Sequence, residues 1–292
     1  MKHAVTRRHT VAGLLAAGGL IAAALVAGQP ASASTAAPAG AALTSPVSAR
    51  NTSSAKPTVV LVHGAWADSS GWAGVITRLQ HDGYTVVAPA NPLRGLASDT
   101  AYLKTFLAAI NGPIVLVGHS YGGAVITDAA TGNANVKSLV YIDAFAPDLG
   151  ENVLQLSGSD SALANPDLSK VFSTVPGNAA PTADTDLYLL PSVFRKAMAN
   201  DESAGQAAVL AAIQRPITLG AVSSPSTEPA WRTIPSWYLV GTLDRAIPKA
   251  AQLTMAHRAK SHIVEVKAAH LSMITKPTAV TNLIETAARA KH

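Results

Sequence analysis

No cysteine occurs anywhere in the 292 residues, so the chain has no disulfide, no thiol nucleophile and no thiolate metal site. Charge is scarce as well: Asp, Glu, Lys and Arg together make up 13%. Beyond the first 33 residues there is no cluster of Lys and Arg, so the electrostatic footprint that a phosphate backbone demands is missing, and nucleic acid is excluded as a partner. One long apolar run exists, Val11 to Ala27, and it sits behind the basic residues Lys2, Arg7 and Arg8 and ahead of Ala31-Ser32-Ala33. That is the pattern of an export signal with an A-x-A cleavage site; the run is short and rich in Ala and Gly for a membrane anchor. Arg7-Arg8 leaves the twin-arginine export route open. Without residues 1–33 the net charge of +5 falls to +2 over 259 residues, and no membrane association is expected of the mature chain.

Residues 34–56 are mostly Ala, Ser, Thr, Pro and Gly without apolar periodicity, a composition that predicts a disordered linker. From Pro57 the pattern alternates. Apolar, β-branched runs at Thr58–Val62, Thr85–Ala88, Ile114–Val117, Val136–Ile142, Trp237–Val240 and Ile263–Val266 predict strands. Between them lie helical spacings: Trp72, Val75, Ile76 and Leu79, ended by Gly83; Tyr102 to Ile110 after Ser98 as N-cap; Ala124–Ala130; Lys249–Ala259; and Thr278–Ala288. Continuously apolar strands alternating with helices imply an α/β fold, a mostly parallel central sheet with helices on both faces. Between Pro147 and Pro235 the rhythm breaks. That stretch shows no core strand and only short helical patterns such as Ser192–Ala199 and Glu202–Ile213, which predicts an insertion, a helical lid placed after a strand end.

The chemistry centres on Gly118-His119-Ser120-Tyr121-Gly122, a G-x-S-x-G pattern between a strand and a helix. A serine at so sharp a corner presents its hydroxyl outward, and Ser120 is the candidate nucleophile. Serine needs a base, and the base needs an orienting acid. Of nine histidines, His270 stands just past the last strand, at the sheet edge where open α/β folds form sites, and it follows Ser120 in chain order. Two acids also follow strands, Asp143 and Asp244. The order Ser, Asp, His ranks Asp244 first, while Asp143 is left to cap a turn or line the pocket. The loop His63-Gly64-Ala65-Trp66 ends the first strand; the backbone N–H groups of Ala65 and Tyr121 are the expected oxyanion donors, and Trp66 and Tyr121 the expected pocket walls.

Together His63-Gly64-Ala65-Trp66, Gly118 to Gly123, Asp244-Arg245-Ala246-Ile247-Pro248 and Ala269-His270 resemble the α/β-hydrolase superfamily over residues 57–292. The branch most resembled holds plant methylesterases, bacterial carboxylesterases and hydroxynitrile lyases. The resemblance implies the α/β-hydrolase fold, a Ser-His-Asp hydrolase with a helical cap, a small-molecule ester as substrate, and no cofactor or metal. In the lyases of that branch a lysine follows the catalytic histidine, whereas Leu271 stands here, which argues for ester hydrolysis over cyanohydrin cleavage. The superfamily also contains lactonases, C–C bond hydrolases and noncatalytic receptors, so machinery is better defined than substrate, and the sequence assigns no oligomeric state.

Overall fold

The computed structural model describes residues 56–177 and 180–291. The expected export signal (1–33) and the expected linker (34–56, apart from Lys56) lie outside the described residues. In chain order, β1 (Thr58–Val62), β2 (Val86–Val87), β3 (Ile114–His119) and β4 (Val136–Ile142) alternate with α1 (Ala73–His81), α2 (Leu96–Ala108) and α3 (Tyr121–Ala129). The chain then leaves the sheet through α4 (Val153–Ser157), β5 (Phe172–Val175), β6 (Asp186–Leu189), α5 (Pro191–Ala197), α6 (Ala204–Ala212), β7 (Ile217–Thr218) and α7 (Leu219–Ser223). It returns through β8 (Ser236–Gly241), α8 (Lys249–Arg258), β9 (His262–Val266), α9 (Ser272–Thr275) and α10 (Pro277–Arg289).

The main sheet runs β2-β1-β3-β4-β8-β9, and every neighbouring pair in it is parallel. Every residue of β3 is buried, as a strand covered on both faces requires. Helices α1 and α10 pack on each other, as do α2 and α3. The chain runs outward from β1 to β2 and then back across to β3, so the order reverses between β1 and β3. A crevice forms at the carboxyl ends of strands where the order reverses. Register lines those ends up: Val62 pairs with Gly118, His119 with Ile142, Ile142 with Leu239, and Gly241 with Val266. One edge therefore carries the loops that begin at His63, Ser120, Asp143, Thr242 and Lys267.

Several local expectations shift. Helix α2 starts at Leu96, not after Ser98; the Ser98 hydroxyl donates back to Gly95 O, and Asp99 takes over the start by accepting from Arg94 N at 3.1 Å. A 3₁₀ turn, Ser69–Trp72, precedes α1, with Asp68 accepting from Ser70 N. Strand β9 is a largely exposed edge, not a buried run. The insertion differs most. Besides its short helices it holds a separate antiparallel sheet, β5-β6-β7, that never joins the main one. Its strands span four, four and two residues, too short for a period-2 pattern to stand out from the surrounding loops.

Candidate active site

Ser120 is the only residue between β3 and α3, and so abrupt a change of direction forces it to φ +53°, ψ −125°. A non-glycine residue there is strained, and such strain persists only where the surroundings over-determine it. The surroundings do so here. Ser120 O accepts from both Gly123 N (2.9 Å) and Phe145 N (3.1 Å), and Ser120 N donates to Ile142 O. Two glycines let the backbones close in: a Cβ on Gly64 would stand 2.6 Å from the Cβ of Ser120, and one on Gly122 would stand 2.5 Å from Val62 O.

The Ser120 hydroxyl meets His270 Nε2 at 2.8 Å, and His270 Nδ1 meets Asp244 Oδ2 at 2.7 Å. With Nδ1 donating to the carboxylate, Nε2 is left to accept the hydroxyl proton. All three side chains are buried. Burial pushes the His270 pKa down to about 3, so the imidazole rests neutral. Burial also raises the Asp244 pKa above the usual carboxylate value, opposed by the backbone N–H groups of Ile247 and Ala246 and by the Gln252 amide. Those donors lie at 2.9, 2.8 and 2.8 Å, so with His270 Asp244 accepts four hydrogen bonds on two oxygens.

Asp143 has a different setting, and the expectation that it lines the pocket is corrected. It is fully buried and stands outside the cavity that holds Ser120. Its Oδ2 accepts from Ser272 N at 3.3 Å, while Oδ1 has no hydrogen-bond partner among the described residues. Burial and then the neighbouring charge of Asp244 hold its pKa well above the usual carboxylate value. Burial outweighs the Ser272 and Gly241 groups that favour the charged form. The structure thus brings Ser120, His270 and Asp244 together and leaves Asp143 beneath the His270 loop.

Ala65, Trp66 and Tyr121 line the cavity with Ser120 and His270. Tyr121 is the first residue of α3, and helix N–H groups at that position have no intrahelical acceptor. Its phenol turns away to donate to the buried Asp99 at 2.8 Å. The cavity measures about 170 Å³, and its other walls are mostly apolar: Phe145 and Ile247 from the sheet edge, and Val153, Leu163, Phe172, Leu187 and Val222 from the insertion, with Ser157 and Asn165 the polar members. No Asp, Glu, Lys or Arg among the described residues lines it. Among the described residues no cluster of three or more His, Cys, Asp or Glu could hold a metal ion, and no helix is long and apolar enough to cross a membrane.

Sequence reasoning missed five supporting residues, among them Ser161, whose hydroxyl donates to Ala246 O at 2.7 Å in the Asp244 loop. Gln252 on α8 donates to both Asp244 and Ile247 O; it occupies the buried face with Met255 and Ala256, so a lone amide at an apolar position was a usable signal. His119 Nε2 contacts His270 O at 2.9 Å, with its own pKa lowered first by burial and then by His270. Asn200 donates to Leu243 O at 3.0 Å, and Asp201 accepts from Ala269 N at 2.9 Å, so two neighbouring insertion residues brace the loops of Asp244 and His270. Nothing in their local sequence marks them. The His63 imidazole is buried away from the reacting groups' hydrogen-bond chain, with Nε2 accepting from Asn91 N at 2.9 Å.

A profile of the Alpha/beta hydrolase family matches residues 59–283. An alpha/beta hydrolase, nvfD, of Aspergillus novofumigatus is 26% identical over 266 residues, covering 80% of this chain and 97% of its own. A carbendazim hydrolyzing esterase of a Nocardioides species is 36% identical over 110 residues, 33% of this chain and 46% of that protein. Among solved structures, an extracellular alpha/beta-hydrolase from a Paenibacillus species superimposes with a TM-score of 0.68 at 24% identity, over 80% of this chain and 100% of that one. At that identity the last likeness concerns the fold.

Proposed function

The chain belongs to the alpha/beta hydrolase family, and on that premise we propose that it is a serine-dependent hydrolase of carboxylic esters of small, uncharged molecules. The observation that carries this reading is the buried chain of hydrogen bonds from Ser120 through His270 to Asp244, on a strained corner that opens into an apolar cavity. Ser120 Oγ attacks the ester carbonyl while His270 Nε2 takes its proton; Asp244 holds the imidazolium that forms. The oxyanion is held by the N–H groups of Ala65 and Tyr121. The imidazolium returns its proton to the departing alcohol, and a water, activated by the same imidazole, releases the acid from Ser120. A wall without formal charge disfavours ionic substrates, because a charge desolvated there finds no partner.

The Nocardioides relative, named for ester hydrolysis, supports the bond class. Release of p-nitrophenol from the acetate and butyrate esters by the mature protein tests the reading. Turnover that vanishes in Ser120→Ala is expected; a protein that binds such esters without cleaving them is a noncatalytic binder on the same fold. The basic start, apolar run and Ala31-Ser32-Ala33 support export with removal of the first 33 residues. Exported protein is expected to begin near Ser34 on N-terminal sequencing, and a chain retaining Val11 to Ala27 would mean an anchor.

A further inference from the structure

Trp66 lines two cavities. One is the cavity of Ser120; the other, at about 290 Å³ the larger, is walled by the start of α1, by Phe194, Val209, Leu210 and Ile213 of the insertion, by Leu271 directly after His270, and by Met273 two residues further on. No other described residue is common to both linings. The indole is pinned in place. Its Nε1 donates to Leu187 O at 2.8 Å, and its ring stacks on Phe172 with centroids 5.8 Å apart. Its backbone sits at φ +54°, a conformation a bulky side chain takes only under constraint.

We propose that Trp66 is a partition that sets the length of ester the site accepts by closing off the second cavity, which takes the distal part of an unbranched aliphatic chain once the indole is removed. With the indole in place, the group beside Ser120 must fit a cavity of about 170 Å³, little more than the roughly 150 Å³ that holds a benzene ring. Beyond the indole the walls suit a hydrocarbon chain. Val209 and Ile213, 55% and 54% exposed, would be covered by one; the polar members of the lining are Ser70, Gln206 and Asp68, whose carboxylate is engaged by Ser70 N at 2.7 Å. The proposal rests on the ester-hydrolase reading above.

The test is kcat/KM over p-nitrophenyl esters from acetate to decanoate for the wild type, Trp66→Leu, Trp66→Ala and the double variant Trp66→Ala/Leu210→Trp. Each newly buried CH₂ is worth about fourfold in binding, so the decanoate-to-butyrate ratio should rise by about tenfold or more in Trp66→Ala, less in Trp66→Leu, and fall back when Leu210→Trp fills the second cavity. Trp66 adjoins Ala65, so only the ratio is read. A pair of fluorophosphonates with ethyl and decyl chains reads the same ratio at Ser120 if turnover is slow. A ratio unchanged within about twofold in both single variants, with either probe, overturns the partition. Failure of the wild type to cleave any ester overturns the ester reading instead, and the fluorophosphonate ratio then still decides the partition.

Discussion

The two walls of the cavity are built on different principles. On the sheet side, five loops leave the aligned carboxyl ends of parallel strands, and their geometry is over-determined: Ser120 is held by three backbone hydrogen bonds and Asp244 by four donors. On the insertion side, short helices and a small antiparallel sheet supply apolar surface and no charged group to the cavity. Proton transfer tolerates little displacement, so chemistry belongs on the rigid side. Shape belongs on the other. The contrast has exceptions: Asn200 and Asp201 grip the loops of Asp244 and His270, and Ser161 and Ala162 donate to Ala246 O and Arg245 O in the Asp244 loop, each at 2.7 Å.

The sharpest test of the contrast lies within the sheet edge itself. Asp244→Asn removes the carboxylate that orients His270 and should lower kcat by up to about four orders of magnitude with the melting temperature little changed. Asp143→Asn, one strand away, should leave kcat within roughly tenfold, because an amide oxygen can still accept from Ser272 N. The reverse pattern would move the orienting acid to β4. Asp201→Ala tests the exception at the His270 loop: kcat should fall roughly tenfold with KM nearly constant, and Asp201→Asn, which keeps an acceptor for Ala269 N, should restore much of it. A loss confined to KM would mean that the insertion does not position the base.

On the insertion wall, Phe172→Ala should raise KM several-fold for esters that fill the cavity and leave kcat close to wild type, since the ring touches shape and not protons. A kcat collapse there would erase the division of labour. The smallest effect is on stability. Asp143 keeps its proton in the native chain above pH 3.8, where the unfolded carboxyl loses it, so its contribution is full below that value and is lost as pH rises through the raised native pKa. Asp143→Asn lacks this dependence, and its melting temperature relative to wild type should climb between pH 5 and pH 8. A constant difference would show that Asp143 titrates normally.

What could be read from sequence divides along the same line. The inner strands of the main sheet were legible because each carries an unbroken apolar run, and the elbow because only glycine fits where backbones approach so closely. Ser120, Asp244 and His270 follow from that frame, since each begins or ends a loop at one sheet edge. Asp143 illustrates the limit: sequence places it at the correct edge, but its burial outside the cavity of Ser120 depends on side-chain packing. The small sheet of the insertion, the bracing pair Asn200 and Asp201, and the double exposure of Trp66 to two cavities arise from contacts between segments far apart in the chain, which no local pattern encodes.

The central claim, that Ser120 at the sheet edge is the reacting group, is tested most directly by labelling the mature protein with a fluorophosphonate and mapping the modified peptide by mass spectrometry. The account predicts one adduct, on Ser120, that forms as ester hydrolysis is lost and that is absent when His270→Ala removes the base. An adduct on another residue, or full hydrolysis in a protein that carries the label on Ser120, would contradict it.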